Sequence, residues 1–172
     1  YIDGEDLSNV IRRGPLPAHQ AAGIAIQICG FLEDVDRVEA STDGASRLTL
    51  LHNDLKPTNI RLLPGDRVKV LDFGAAKALS LSRRVTRNDF GSIAYLSPEC
   101  LDTGERDRRS DAWALGVLLY EMVTGRPPFR AESSYAILRL ITDHEPKSIR
   151  EINADIPDWL CGIIAKLMAT GE

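Results

Sequence analysis

Apolar residues at Ala21, Ile24, Ile28, Phe31, Leu32 and Val35 recur at steps of three and four, the period of a helix that buries one face. Pro17 just ahead of them suits a first helical turn. Before that helix, Tyr1-Ile2-Asp3-Gly4 reads as the end of a strand or linker, and a short helix then runs to Arg13, where Gly14-Pro15 stops it. Two apolar runs, Ile60 to Leu63 and Val68 to Leu71, flank Pro64-Gly65-Asp66-Arg67 and predict a small hairpin. Ser110 is placed to cap a helix that runs to Thr124, with Gly125 to end it. Its stretch Ala112 to Tyr120 is apolar on nearly every face, so this helix belongs in the middle of a domain. Two more helices are predicted around Glu132 to Thr142 and Pro157 to Ala169. Glu39 to Arg47 is polar and reads as a surface insertion, and Ala75 to Tyr95 has no periodicity. The expected fold is mainly α, a helical bundle around a buried central helix, with a small β-ribbon inserted.

Composition narrows the class. The 172 residues amount to one ordinary domain. With 21 basic against 25 acidic side chains the net charge is −4, which argues against nucleic acid as a partner. A 44% hydrophobic and 27% charged chain lies in the range of soluble globular domains. The apolar stretch Trp113 to Val123 is broken by Glu121, whereas a membrane span wants about 18 unbroken residues. Cys29, Cys100 and Cys161 form no C-x-x-C pair and no cluster with histidine. They read as small buried hydrophobes in a reducing compartment, not as zinc ligands or redox thiols. The expected location is therefore cytoplasmic. A first residue that is Tyr1 reads as a piece of a longer parent, whose membrane anchoring stays open.

Chemistry concentrates beside the ribbon. His52-Asn53-Asp54-Leu55-Lys56-Pro57-Thr58-Asn59 offers a carboxylate, an ammonium and a carboxamide within six positions. Asp72-Phe73-Gly74 follows across the hairpin, which can return Asp72 beside Asn59. Such oxygen donors suit Mg²⁺, which commonly takes one or two protein ligands plus phosphate and water. Asp54 would remain to orient a hydroxyl and accept its proton, and Lys56 to neutralise a transferred phosphoryl group. Taken alone, Asp54 and Asn59 are equally readable as turn residues, and His52 as a packed loop histidine.

These segments resemble the protein kinase family. His52 to Asn59 is similar to H-R-D-L-x-x-x-N, Asp72-Phe73-Gly74 matches D-F-G, and Ser97-Pro98-Glu99 resembles A-P-E. Asp111-Ala112-Trp113-Ala114-Leu115-Gly116 resembles the D-x-W-x-x-G that anchors the catalytic loop, and Gly91-Ser92-Ile93-Ala94-Tyr95 the G-T-x-x-Y segment that holds the acceptor peptide. Lys56 and Ser92 look like the serine/threonine branch, and the phrases around them like the bacterial Hanks-type members. The resemblance implies an ATP- and Mg²⁺-dependent enzyme acting on protein Ser/Thr hydroxyls. In it Asp54 is the base, Lys56 contacts the γ-phosphate, and Asn59 and Asp72 hold Mg²⁺. It further implies that Asp6 binds ribose, that Tyr1 and Ile2 contact adenine, and that Arg61 lies beneath it, where many members carry an apolar residue.

Departures from the family pattern define the expectation further. The sequence has no G-x-G-x-x-G loop, no V-A-I-K lysine and no helix bearing that lysine's glutamate partner. The resemblance therefore implies that residues 1–172 are the larger, helical lobe alone. The smaller lobe of the same parent chain would cover ATP, and the arginine that pairs with Glu99 would follow Glu172. Asn53 replaces the usual arginine of the catalytic loop. Lys77, Arg83, Arg84 and Arg87 make the segment after D-F-G basic, and Ser80, Ser82 and Thr86 are candidate phosphorylation sites. Two other readings stand beside the kinase: a scaffold that keeps the fold without turnover, and a small-molecule phosphotransferase, which would lack the Ser92 to Glu99 segment.

Overall fold

In order, the chain forms β1 (Glu5–Asp6), α1 (Leu7–Arg12), α2 (Ala18–Arg37), a 3-10 turn (Pro57–Asn59), β2 (Ile60–Leu63) and β3 (Arg67–Val70). Then come α3 (Phe90–Ile93), α4 (Pro98–Thr103), α5 (Arg108–Thr124), α6 (Ser134–Asp143), α7 (Ile149–Ile152) and α8 (Asp158–Leu167). The structure is a computed structural model that describes residues 3–37, 51–72, 90–104, 107–143 and 146–170. The polar insertion at 39–47, Tyr1, Ile2, Phe73, Gly74, Ser80, Ser82 and Thr86 lie outside the described residues.

Helix α5 is the centre. From Trp113 to Thr124 every residue but Glu121 is buried, as its all-round apolar sequence requires. Its start differs from expectation: Asp107, not Ser110, is the N-cap. The Asp107 carboxylate accepts from the Arg109 amide at 2.8 Å, while the Ser110 hydroxyl reaches back to the Asp107 amide at 3.4 Å. Ser110 therefore serves as the N3 residue of a capping box, and the helix begins three residues earlier. Gly125 ends it with φ 75, as expected of a left-handed C-terminal glycine. Trp113 stacks on Phe129, ring centroids 6.2 Å apart and planes within 4°.

Around α5 lie α2 and α8. The α2 stripe buries Ala21, Ile24, Ile28 and Val35 in the core, with Leu32 packed against it. Helix α8 comes so close that a Cβ on Gly116 would stand 2.9 Å from Leu167 Cβ and 2.7 Å from Met168 Cγ. The Leu16 amide donates to the Met122 carbonyl at 2.7 Å and so pins the α1–α2 connection to α5.

The ribbon is a three-stranded antiparallel sheet in the order β1-β2-β3. Gly65 (φ 78) and Asp66 (φ 56) turn the β2–β3 hairpin, and Gln27 of α2 grips its tip. The Gln27 side chain donates to the Asp66 carbonyl at 2.7 Å and accepts from the Val68 amide at 2.9 Å. Ile60, Leu62, Val68 and Val70 share the face that meets the core. Asp6, Arg61 and Lys69 are direct partners across the three strands and share the other face. Pairing of β1 was not foreseen, because a two-residue strand leaves no alternation to read.

The cysteine expectation needs correction. All three are free, but only Cys100 is buried, Cys161 is half-buried, and Cys29 is exposed. Short helices α3 and α7 were also not foreseen, since four residues cannot display a helical period. No described helix is long and apolar enough to cross a membrane.

Candidate active site

The loop before β2 hangs from one carboxylate of the central helix. Asp111, buried in the first turn of α5, accepts the His52 amide through Oδ2 and the Asn53 amide through Oδ1, both at 2.8 Å. Asn53 is itself left-handed, φ 62, a conformation that asparagine tolerates better than most residues. His52 is fully buried and fastens the loop to the strand exit. Its Nδ1 lies 3.3 Å from the Asp54 amide, which donates to it, and its Nε2 lies 3.0 Å from the Leu71 carbonyl. An amide can only donate and a carbonyl only accept, so the ring hydrogen belongs on Nε2. The Leu71 amide in turn donates to the Asn59 carbonyl at 2.8 Å. His52 is thus a packed structural residue, with Phe31 meeting its ring edge-on.

Four sequence-predicted residues are brought within reach of one another. Asn59 donates its side-chain amide to both the Asp54 carbonyl (2.8 Å) and Asp54 Oδ2 (3.0 Å). Lys56 Nζ stands 3.0 Å from Asp54 Oδ2 and donates to Ser92 Oγ at 2.7 Å. The Asp54 and Lys56 side chains are about four-fifths buried, at 21% and 19% exposure, so their attraction is screened less than that of a surface pair. Ser92 itself is buried, in α3. Lys56 thereby ties the Asp54 carboxylate to the segment before α4, whose N-cap Ser97 accepts the Cys100 amide.

Asn59 and Asp72 offer the oxygens that a hard cation needs. Asn59 spends its amide nitrogen on Asp54, which leaves the side-chain carbonyl as its donor. Asp72 directly follows the residue bonded to the Asn59 backbone; it is exposed and left-handed, φ 57. Among the described residues no group of three or more His, Cys, Asp or Glu could hold a metal. The two oxygen donors therefore fit Mg²⁺ sharing its shell with phosphate and water better than a cation caged by protein.

Asp6 and Arg61 meet each other. Arg61 Nη1 donates to Asp6 Oδ1 at 2.8 Å across the β1–β2 pair. Tyr1 and Ile2 lie outside the described residues.

One pair escaped the sequence reading. Tyr95 donates its phenolic hydrogen to Glu121 of α5. Burial raises the Glu121 carboxyl above its ordinary value, partly offset by the Tyr95 hydrogen bond, while burial and then the nearby Glu121 charge raise the Tyr95 phenol well above its own. The signal was available: Glu121 is the lone charge in the apolar stretch Trp113 to Val123, and a charge so placed needs a partner.

The central helix thus suspends one loop that carries carboxylate, ammonium and carboxamide together. A family model described as the protein kinase domain matches residues 1–170, and the chain belongs to the protein kinase family. It is 37% identical over 159 residues to a probable serine/threonine-protein kinase of Corynebacterium efficiens, covering 90% of this chain and 23% of that protein. To the tyrosine-protein kinase MasK of Myxococcus xanthus it is 36% identical, covering 98% and 27%. To the serine/threonine-protein kinase PknB of Mycobacterium leprae it is 32% identical, covering 98% and 26%. The chain spans about a quarter of the length of these relatives.

Proposed function

We propose that residues 1–172 form the larger, helical lobe of an ATP- and Mg²⁺-dependent protein serine/threonine kinase acting in the cytoplasm. The observation that carries this reading is the bridge made by Lys56, whose Nζ reaches Asp54 at 3.0 Å and Ser92 at 2.7 Å. It joins the carboxylate that would act on a hydroxyl to the segment that would carry the peptide.

Each residue has a derived task. Asp54, oriented by Asn59 and Lys56, aligns the acceptor hydroxyl and takes its proton. Lys56 places positive charge where negative charge accumulates on the transferred group. Asn59, through its side-chain oxygen, and Asp72 are the protein donors for Mg²⁺, which when bound with ATP supplies charge neutralisation between phosphates. Asp6 takes the ribose, with Tyr1, Ile2 and Arg61 around the base. A smaller lobe elsewhere in the parent chain closes over the nucleotide and excludes water.

The full-length protein, given Mg-ATP and matched peptides bearing Ser, Thr or Tyr, tests this reading. Transfer to Ser and Thr is expected, with Asp54→Asn lowering turnover at least ~10²-fold. Transfer to Tyr alone, or an Asp54→Asn protein of near-normal turnover, would overturn it.

A further inference from the structure

The face of the sheet turned away from the core carries a row of charges, Asp6, Arg61 and Lys69, one from each strand. Within that row Asp6 and Arg61 are joined by a single charge-assisted hydrogen bond, Nη1 to Oδ1 at 2.8 Å. The Arg61 side chain is 23% exposed, and its Nε is buried without a hydrogen-bond partner among the described residues. An arginine that sought only stability would turn its fork to form two parallel bonds with the carboxylate. Instead one bond is made, the second carboxylate oxygen is not used by Arg61, and the guanidinium is fixed by its stem on β2.

We propose that Arg61 is a positioning residue for ribose recognition. By holding Oδ1 of Asp6, it fixes the carboxylate plane, so that Oδ2 stands as a preset acceptor for a ribose hydroxyl of the nucleotide. The inference rests on the kinase reading above, and on Asp6 as the ribose acid. Arg61 acts through Asp6, so its loss weakens discrimination between sugars more than it weakens binding of the triphosphate. A preset acceptor disfavours a sugar that lacks its hydroxyl, because the carboxylate is then left with one partner fewer.

The experiment measures calorimetric affinities of the full-length protein for Mg-ATP, 2′-deoxy-ATP and 3′-deoxy-ATP, with Arg61→Met, Asp6→Asn and the double variant alongside. The unsubstituted protein should prefer ATP over at least one deoxy analogue by about tenfold or more, the scale of a hydrogen bond to a charged group. Arg61→Met should lose most of that preference, Arg61→Lys should recover part of it, and Asp6→Asn/Arg61→Met should discriminate no worse than Asp6→Asn alone. A preference that survives Arg61→Met undiminished would overturn the inference while leaving the kinase reading intact, as would equal affinity of the unsubstituted protein for all three nucleotides. Failure of the unsubstituted protein to bind Mg-ATP would overturn both.

Discussion

Asp111 and Asn53 are 58 positions apart in sequence and 2.8 Å apart in space, the carboxylate of one capping the amide of the other. With the His52 amide on its second oxygen, Asp111 ties the loop before β2 to the most deeply buried helix of the domain. Asp111→Asn keeps the volume but turns an NH₂ group towards an amide that needs an acceptor. A loss of about 2–3 kcal/mol is expected from one charged hydrogen bond removed and one donor stranded. Urea unfolding of the variant checks this; unchanged stability would mean that the loop is held by other contacts.

Glu121 gives a pH dependence of definite sign. Its carboxyl is raised above the ordinary 4.5, so the folded state binds more protons than the unfolded one between that value and the folded one. The favourable contribution is fully present below pH 4.5 and is lost as pH rises through this window. Glu121→Gln removes the slope, so its stability relative to the parent should improve as pH rises from about 4 towards neutrality. Tyr95→Phe deletes the hydrogen bond that lowers the Glu121 carboxyl, and should extend the loss to higher pH. Denaturation midpoints across this range decide the matter; parallel curves for parent and Glu121→Gln would refute it.

Gly116 inverts the usual helix rule. Alanine in place of glycine in a helix interior ordinarily gains about 1 kcal/mol. Here the added Cβ would press on Leu167 at 2.9 Å, and that neighbour is held by its own helix. Gly116→Ala should therefore lower stability by about 1–3 kcal/mol, the usual cost of overpacking, read as a fall in Tm. A rise in Tm would show that α8 can move aside freely.

Asn53 bears on control of the proposed kinase. In family members with arginine here, the guanidinium orders a phosphorylated segment through paired hydrogen bonds. Asparagine cannot form that fork, and its backbone is already committed to Asp111. Replacing Ser80, Ser82 and Thr86 together with alanine in the full-length protein should cost less than about tenfold in peptide turnover, or ~1.4 kcal/mol. A larger loss would show that a phosphate finds another cation.

What the sequence made legible was whatever repeats or punctuates. The α2 stripe, the all-apolar α5 and the Gly125 stop were readable because periodicity and a left-handed glycine leave marks within a short window. The Asp54–Lys56–Asn59 group was readable because its members lie within six positions. The bridge from Lys56 to Ser92, the Tyr95–Glu121 pair and the pairing of Asp6 with Arg61 span 26 to 55 positions, and only packing decides such contacts. The cap was misplaced by three residues, at Ser110 instead of Asp107, because serine serves equally well as a cap or as the N3 residue of a capping box.

Leu71 has both backbone groups occupied, its amide by Asn59 and its carbonyl by His52. The next residue, Asp72, therefore receives the chain at a fixed position and direction and must take a left-handed turn at once. With Asp72 in its proposed role as a Mg²⁺ donor, two separate filters act on this one position: a backbone filter that admits glycine, asparagine and aspartate, and a charge filter that admits only acids. Aspartate alone passes both, since glutamate fails the first and asparagine the second. Among substitutions, Asp72→Asn isolates the charge, whereas Asp72→Ala or Asp72→Val would confound lost chemistry with a refolded turn.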